Sequence, residues 1–189
     1  NIPRRTKIAL AIATALIAVA AVALVALLNF DWNRAKPWLN ARTSEALGRP
    51  FTIAGDLSLT WEKQAAGPAA DEGWRGMIPW PHLVAQDIHI GNPPAMTAPG
   101  DMASIQQLAF SLNPLALLGK KIAIPVLRFN SPVVSLLRGA DGKNNWTFKN
   151  DDKPSPWRLE LQRIVFTKGS VHLIDAIRHA DVTADIDTL

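Results

Sequence analysis

The chain has 189 residues, 20 of them basic and 16 acidic, and no cysteine, which excludes a disulfide framework and a thiolate metal site. Arg4, Arg5 and Lys7 carry three of those basic charges, so 17 basic residues face 16 acidic ones from position 8 onward. No clustered basic face remains for nucleic acid, and that class of function is set aside.

Residues 8–28 are uncharged, and all but Thr14 are apolar. At about 1.5 Å per residue, these 21 positions reach about 31 Å as a helix, close to the ~30 Å hydrocarbon core of a bilayer. The stretch is predicted as a single transmembrane helix after a cytoplasmic tail at 1–7. Arg4, Arg5 and Lys7 stand on its N-terminal side, and positive charge stays inside. Trp32 and Trp38 are then expected at the far membrane interface, where amphipathic rings settle. Ala18-Val19-Ala20 and Ala21-Val22-Ala23 resemble cleavage sites, but the run exceeds the ~7–15 residues of a signal h-region.

Everything beyond Leu28 is expected across the membrane, in an oxidising compartment that costs a cysteine-free chain nothing. The sequence starts at Asn1 without methionine and stops in a strand-like stretch, so it is expected to be the N-terminal part of a longer protein. Residues 29–50 read as a juxtamembrane helix with Asp31 as N-cap, a break near Lys36 imposed by Pro37, and Gly48 as its stop. From Phe51 the period becomes two: Phe51, Ile53, Leu57, Leu59 and Trp61 point one way, with a bend at Gly55-Asp56. Residues 64–81 have the composition of a long loop. Strands are predicted at 83–90, 105–112, 122–129, 133–137, 159–166, 170–174 and 182–186, with a helical turn at 114–118 and a hairpin at Asp141-Gly142 between Leu137 and Trp146.

Two stretches repeat at an offset of 37 residues. Leu127, Phe129, Pro132, Val134 and Leu136 match Ile164, Phe166, Gly169, Val171 and Leu173, and each unit reads strand, kink, strand. A weaker copy at Ile88, Ile90 and Pro93 precedes them. The expected fold is therefore mainly β: a curved, antiparallel, repeating sheet over 51–189. With few amphipathic helices to cover its apolar face, that sheet is expected to form a hydrophobic groove.

The phrase Leu47-Gly48-Arg49-Pro50-Phe51-Thr52-Ile53-Ala54-Gly55-Asp56-Leu57-Ser58-Leu59-Thr60-Trp61, just after the N-terminal apolar helix, resembles the opening of the AsmA family. Further similar phrases follow in order: Asp87-Ile88-His89-Ile90-Gly91-Asn92, then Ser131-Pro132-Val133-Val134-Ser135-Leu136-Leu137-Arg138. Gly142-Lys143-Asn144-Asn145-Trp146-Thr147-Phe148 resembles that family's Gly-x-x-Asn-Trp-x-Phe turn, and Gly169-Ser170-Val171-His172-Leu173-Ile174-Asp175 its Gly-x-Val-x-Leu-x-Asp strand. The resemblance implies a single-pass protein of the Gram-negative inner membrane with a periplasmic body, linked to outer-membrane lipid homeostasis. It also implies a likeness to the chorein-type start of bridge-like lipid transfer proteins, whose stacked β units hold acyl chains. The composition of 64–81 departs from the pattern.

No catalytic constellation is found, and the chain is not expected to be an enzyme. There is no Gly-x-Ser-x-Gly elbow and no phosphate loop. Asp141, Asn144 and Asn145 fail calcium-loop spacing because Lys143 takes a ligand position, and Asn145-Trp146-Thr147 is an accidental sequon. His82, His89, His172 and His179 lack metal-ligand spacing, so neither metal nor cofactor is expected. Trp146 and Phe148 read as aromatics that close a turn.

The candidates for function are the inward apolar positions. They are Phe51, Ile53, Leu57, Leu59, Trp61, Ile88, Ile90, Leu108, Phe110, Leu127, Phe129, Val134, Leu136, Ile164, Phe166, Val171 and Leu173. Their expected partner is the acyl chain of a phospholipid, since burial yields about 0.8 kcal/mol per CH₂. The rival reading is a structural subunit whose alanine-rich helix docks on another inner-membrane protein, because small residues permit close packing in lipid.

Overall fold

The computed structural model describes residues 4–64, 73–148 and 156–188, with side chains for all of them except residues 4–13 and Leu24. The chain divides into two compact units, 1–31 and 32–189.

The first unit is one helix, α1 (Arg4–Leu28), which opens at Arg4 and so takes Arg4, Arg5 and Lys7 into its first turns. Its end is closed by Asn29, whose backbone N–H and side-chain Nδ2 both donate to the Val25 carbonyl. Leu16, Ile17, Val19, Val22 and Val25 are exposed. Among the described residues, no single helix is long and apolar enough to cross a membrane.

The second unit opens with a 3-10 turn (Trp32–Ala35) and α2 (Lys36–Leu47). The break falls at the expected place. Pro37 lacks an N–H and is tolerated only in the first turn of a helix, and Gly48 ends α2 with φ 65°, a left-handed conformation that suits glycine. Seven strands follow: β1 (Phe51–Ile53), β2 (Leu57–Glu62), β3 (Trp80–Ile90), β4 (Ala103–Ser111), β5 (Lys121–Arg138), β6 (Arg158–Asp175) and β7 (Ala180–Thr188). A second 3-10 turn (Gly73–Met77) precedes β3, and α3 (Pro114–Leu118) lies between β4 and β5. The strands form one open sheet in the order β1, β3, β4, β5, β6, β7, with β2 also pairing to β3.

The sheet is mixed, which corrects the antiparallel expectation. β5 and β6 run parallel, and their register partners, from Lys121 with Arg158 to Arg138 with Asp175, differ by 37 positions throughout. The sequence repeat is therefore the strand register itself, so each residue lies beside its own counterpart. A parallel pair needs a crossover of a dozen or more residues, usually a helix. Here residues 139–157 make the return without a predicted helix, so the sequence carried no crossover signal.

The kink is also shared. Asp87, Ser131 and Lys168 adopt left-handed backbone, with φ of 52°, 49° and 55°. The register lines them up across β3, β5 and β6, beside the β1–β2 interruption at 54–56. Along this crease the apolar alternation slips by one: Ala85 to Ile88, Leu108 to Ile105, Phe129 to Pro132, Phe166 to Gly169. Because every strand slips at the same level, one face stays apolar throughout. Two glycines make the crease possible. A Cβ on Gly55 would sit 2.8 Å from the Gln86 carbonyl oxygen, and one on Gly169 would sit 3.3 Å from the Pro132 ring.

The core lies under α2. Ile53, Leu57, Ala85, Ile88 and Ile105 form a buried cluster, against which Trp32, Leu39, Phe51, Leu83, Leu108 and Phe129 pack. The helical segment also satisfies the free edge of the sheet. Phe51, Ile53 and Leu57 donate their backbone N–H groups to Ser44 Oγ, Asn40 Oδ1 and Asn33 Oδ1, and Lys36 Nζ donates to the Gly55 carbonyl.

Candidate functional site

The strand register sorts the sequence-predicted apolar positions into cross-strand rows. Leu59, Leu83, Phe110, Leu127 and Ile164 form one row, and Leu57, Ala85, Leu108, Phe129 and Phe166 the next. Beyond the crease come Ile53, Ile88, Ile105 and Pro132, then Phe51, Ile90, Ala103, Val134, Val171 and Ala184. Leu136, Leu173 and Val182 make the last row, while Trp61 sits opposite Pro81 at the far end. Directly paired residues share a face, so all the candidates lie on a common apolar surface.

That surface is sealed on one side and bare on the other. Ile53, Leu57 and Ile88 are buried in the cluster that Trp32 and Leu39 cover, and Phe51, Leu108 and Phe129 abut it. Toward β6 and β7 the same rows emerge: Ile164 is 43% exposed and Val182 53%. Leu127, Leu136, Phe166, Val171 and Leu173 are half-buried. Phe129 and Phe166, at repeat-equivalent positions, stack with ring centroids 5.1 Å apart and planes at 17°, bridging the sealed half and the bare half.

Ion pairs close this strip at both ends. Lys121 Nζ lies 2.8 Å from Glu160 at one end, and Arg138 lies 3.4 Å from Asp175 at the other. Arg138 also stands over the Trp146 ring, 5.2 Å from its centroid. Between the pairs, the inward positions of β5 and β6 are chiefly apolar, a surface with affinity for hydrocarbon and no means of reading it closely.

The expected membrane-interface residues divide. Trp38 is exposed, and Trp32 is half-buried against the core cluster, so part of its indole is already occupied within the unit. The side chains of Arg4, Arg5 and Lys7 lie outside the described ones.

A second node, unseen in the sequence, holds the turn at 139–148. Asn145 is fully buried and links three elements: it accepts from the Leu137 N–H and donates to Asn92 Oδ1 and the Ser135 carbonyl. Arg49, 4% exposed, donates to the carbonyls of Asn145 and Thr147, and its guanidinium lies 4.0 Å from the Phe148 ring centroid. Gly142, at φ 81°, turns the chain, and the Asn144–Arg138 bridge and the bonds of Asn145 tie it back to β5, but the expected hairpin is corrected: among the described residues β5 continues into pairing with β6 in parallel.

Comparison with known proteins now decides the family. The AsmA family model matches residues 2–188. The chain belongs to the AsmA family. A relative from Escherichia coli (strain K12), the AsmA family protein YhjG, is 39% identical over 191 residues, covering 97% of this chain and 27% of its own length. The AsmA segment described above thus spans about a quarter of that curated relative. No solved structure matches it. The phrases that carried the resemblance meet at the Asn145 node: Arg49 comes from the first, Asn92 from the second, Ser135 and Leu137 from the third, and Asn145 itself from the fourth.

The histidines are kept apart. His82 contacts Ser111, and His172 Nε2 lies 2.7 Å from Asp181. His89 sits between Asp101 (Nδ1, 2.7 Å) and Asp87 (Nε2, 2.9 Å), and these hydrogen bonds, Asp101's first, raise its pKa above 6.5. Both ring nitrogens donate only in the imidazolium. The folded pKa exceeds the unfolded one, so this stabilisation is complete below about pH 6.5 and is lost as pH rises through the folded value. Thermal melts of His89→Gln should therefore differ from wild type at pH 5.5 and converge at alkaline pH. Equal gaps at both pH values would rule the coupling out.

Proposed function

We propose that this chain is the membrane-anchored, non-enzymatic start of a periplasmic lipid-handling protein, in which phospholipid acyl chains lie on the bare half of the apolar face. Three lines support the reading: membership of the AsmA family, the 21-residue uncharged run flanked by Arg4, Arg5 and Lys7, and the face itself. The face carries most of the weight. The rows that Trp32 and Leu39 cover over β1–β4 continue with the same chemistry to Phe166, Ile164, Val171 and Leu173, where water is the neighbour. Laying a sixteen-carbon chain there removes methylenes from water at about 0.8 kcal/mol each, very roughly 10 kcal/mol before ordering costs. The lipid would pass between the inner and the outer membrane.

Photo-crosslinking of the full chain to a phospholipid with an acyl-chain diazirine tests this. Ile164→Asp and Phe166→Asp should lower capture about tenfold, because a carboxylate facing hydrocarbon costs well over the 1.4 kcal/mol that a factor of ten represents. Arg163→Asp, at the alternate position beside Ile164, should leave capture intact. Phe129 is a poorer probe because it abuts the core cluster. Undiminished crosslinking in both β6 variants would remove the proposal. A stoichiometric inner-membrane protein in native mass spectrometry, with no bound lipid, would favour an assembly subunit docked through α1.

A further inference from the structure

The end of the sheet marked by Glu62, Trp80, Ser111, Lys121 and Arg158 gathers three connections: the β2–β3 loop, the β4–β5 turn with α3, and the start of β6. Each presents large apolar side chains to water. Trp74 and Met77 come from the first, Leu118 from the second, and Trp157 and Leu159 from the third; Met77 is 84% exposed and Leu118 85%. The opposite end of the sheet offers Ile174, Ile177 and Phe148 in that class; Ile174 is 36% exposed, and the Phe148 ring is already engaged by Arg49. Five such groups exposed on separate protrusions of one rim mark an interaction surface.

The geometry points to this rim as a docking tip that inserts Trp74, Met77, Leu118, Trp157 and Leu159 into the headgroup layer of a lipid bilayer. The occupant follows from the company these groups keep. Arg75 lies with its guanidinium 5.7 Å from the Trp74 ring centroid, and Lys63, Lys120, Lys121 and Arg158 stand on the same rim against Glu62 and Glu160. Asp71, Glu72, Asp151 and Asp152 belong to the same connections in the sequence and lie outside the described residues. Lys121 and Arg158 are direct register partners, which sets two cations side by side at the start of β5 and β6, with Glu160 paired to Lys121. Indole and aliphatic side chains ringed by arginine and lysine suit an interface where hydrocarbon lies beneath phosphate. A protein partner would be better served by a continuous flat patch than by three separate tips.

The absence of cysteine makes the test direct. Single-cysteine variants Met77→Cys, Leu118→Cys and Leu159→Cys of the full chain would be labelled with an environment-sensitive fluorophore and reconstituted in phosphatidylethanolamine–phosphatidylglycerol vesicles. Ile177→Cys at the opposite end serves as the control. These side chains are exposed, so the substitutions should leave the fold unchanged, as circular dichroism would verify. The expected result is a blue shift at all three tip positions and quenching by nitroxide-labelled lipid at least about threefold stronger than at position 177, reduced by Lys121→Glu with Arg158→Glu. Tip probes as wet as the control would overturn the proposal, as would probes shielded from aqueous iodide yet untouched by lipid nitroxide, the signature of a protein partner. Ile164→Asp should lower acyl crosslinking about tenfold without moving these signals, so the tip and the lipid-carrying face fail independently.

Discussion

Replacing Asn145 with alanine should destabilise the β unit by about 4 kcal/mol. The side chain is fully buried, and its removal strands the Leu137 N–H, the Ser135 carbonyl and the Asn92 amide at once. An unsatisfied buried polar group costs about 1–3 kcal/mol, and the smaller residue leaves little room for water to take over all three roles. Arg49 amplifies the loss, because its charge is held by the carbonyls of Asn145 and Thr147 and by the Phe148 ring. Asn145→Asp should be no better: it keeps an acceptor for Leu137 but turns a carboxylate toward the Ser135 carbonyl and Asn92 Oδ1. Urea titrations of the full chain, followed by tryptophan fluorescence, would register the change as a fall in midpoint. A shift below about 1 kcal/mol would mean that the turn at 139–148 is held by something other than this node.

Ile88→Ala should cost about 3–4 kcal/mol. Ile88 is 1% exposed at the centre of the cluster formed with Ile53, Leu57, Ala85 and Ile105, and truncations at such sites cost about 2–5 kcal/mol through lost transfer energy and an unfilled cavity. For a unit of this size the melting temperature should fall by about 10 °C. Ile164→Ala, on the bare half of the same face, should cost less than about 1 kcal/mol, because its side chain is already partly wet. The contrast tests the division of the face into core and open surface. Equal losses at positions 88 and 164 would mean that the rows over β6 are packed like the rest.

Much of this architecture could be read from the residues. Pro37 and Gly48 marked the bounds of α2, the two-residue period marked the strands, and the recurrence of Leu127 and Phe129 at Ile164 and Phe166 marked a repeat. What the repeat meant was not readable. An offset of 37 residues fits stacked hairpins as well as a parallel pair, and the return at 139–157 has no helical signature to separate them. The apolar positions were placed on one face, but the slip from Phe129 to Pro132 depends on the backbone at Ser131, and serine is no usual marker of a left-handed turn. That Trp32 packs on the core cluster was not readable, because an indole following an apolar run looks the same whether or not it covers strands. Asn145 was passed over because an Asn beside a Gly turn reads as exposed, and only the fold shows Arg49 and Asn92 closing around it.

The hydrogen bonds from Phe51, Ile53 and Leu57 to Ser44, Asn40 and Asn33 occupy backbone groups that another strand would need. The β1 part of that margin is spent, whereas β7 at the opposite margin pairs, among the described residues, with β6 alone. Any further strand, whether from the same polypeptide or from another molecule, is steered to β7, which gives the assembly a single direction of growth. Lengthening would then carry the uncovered rows outward from α2 without a second such sheet joining at its blocked side.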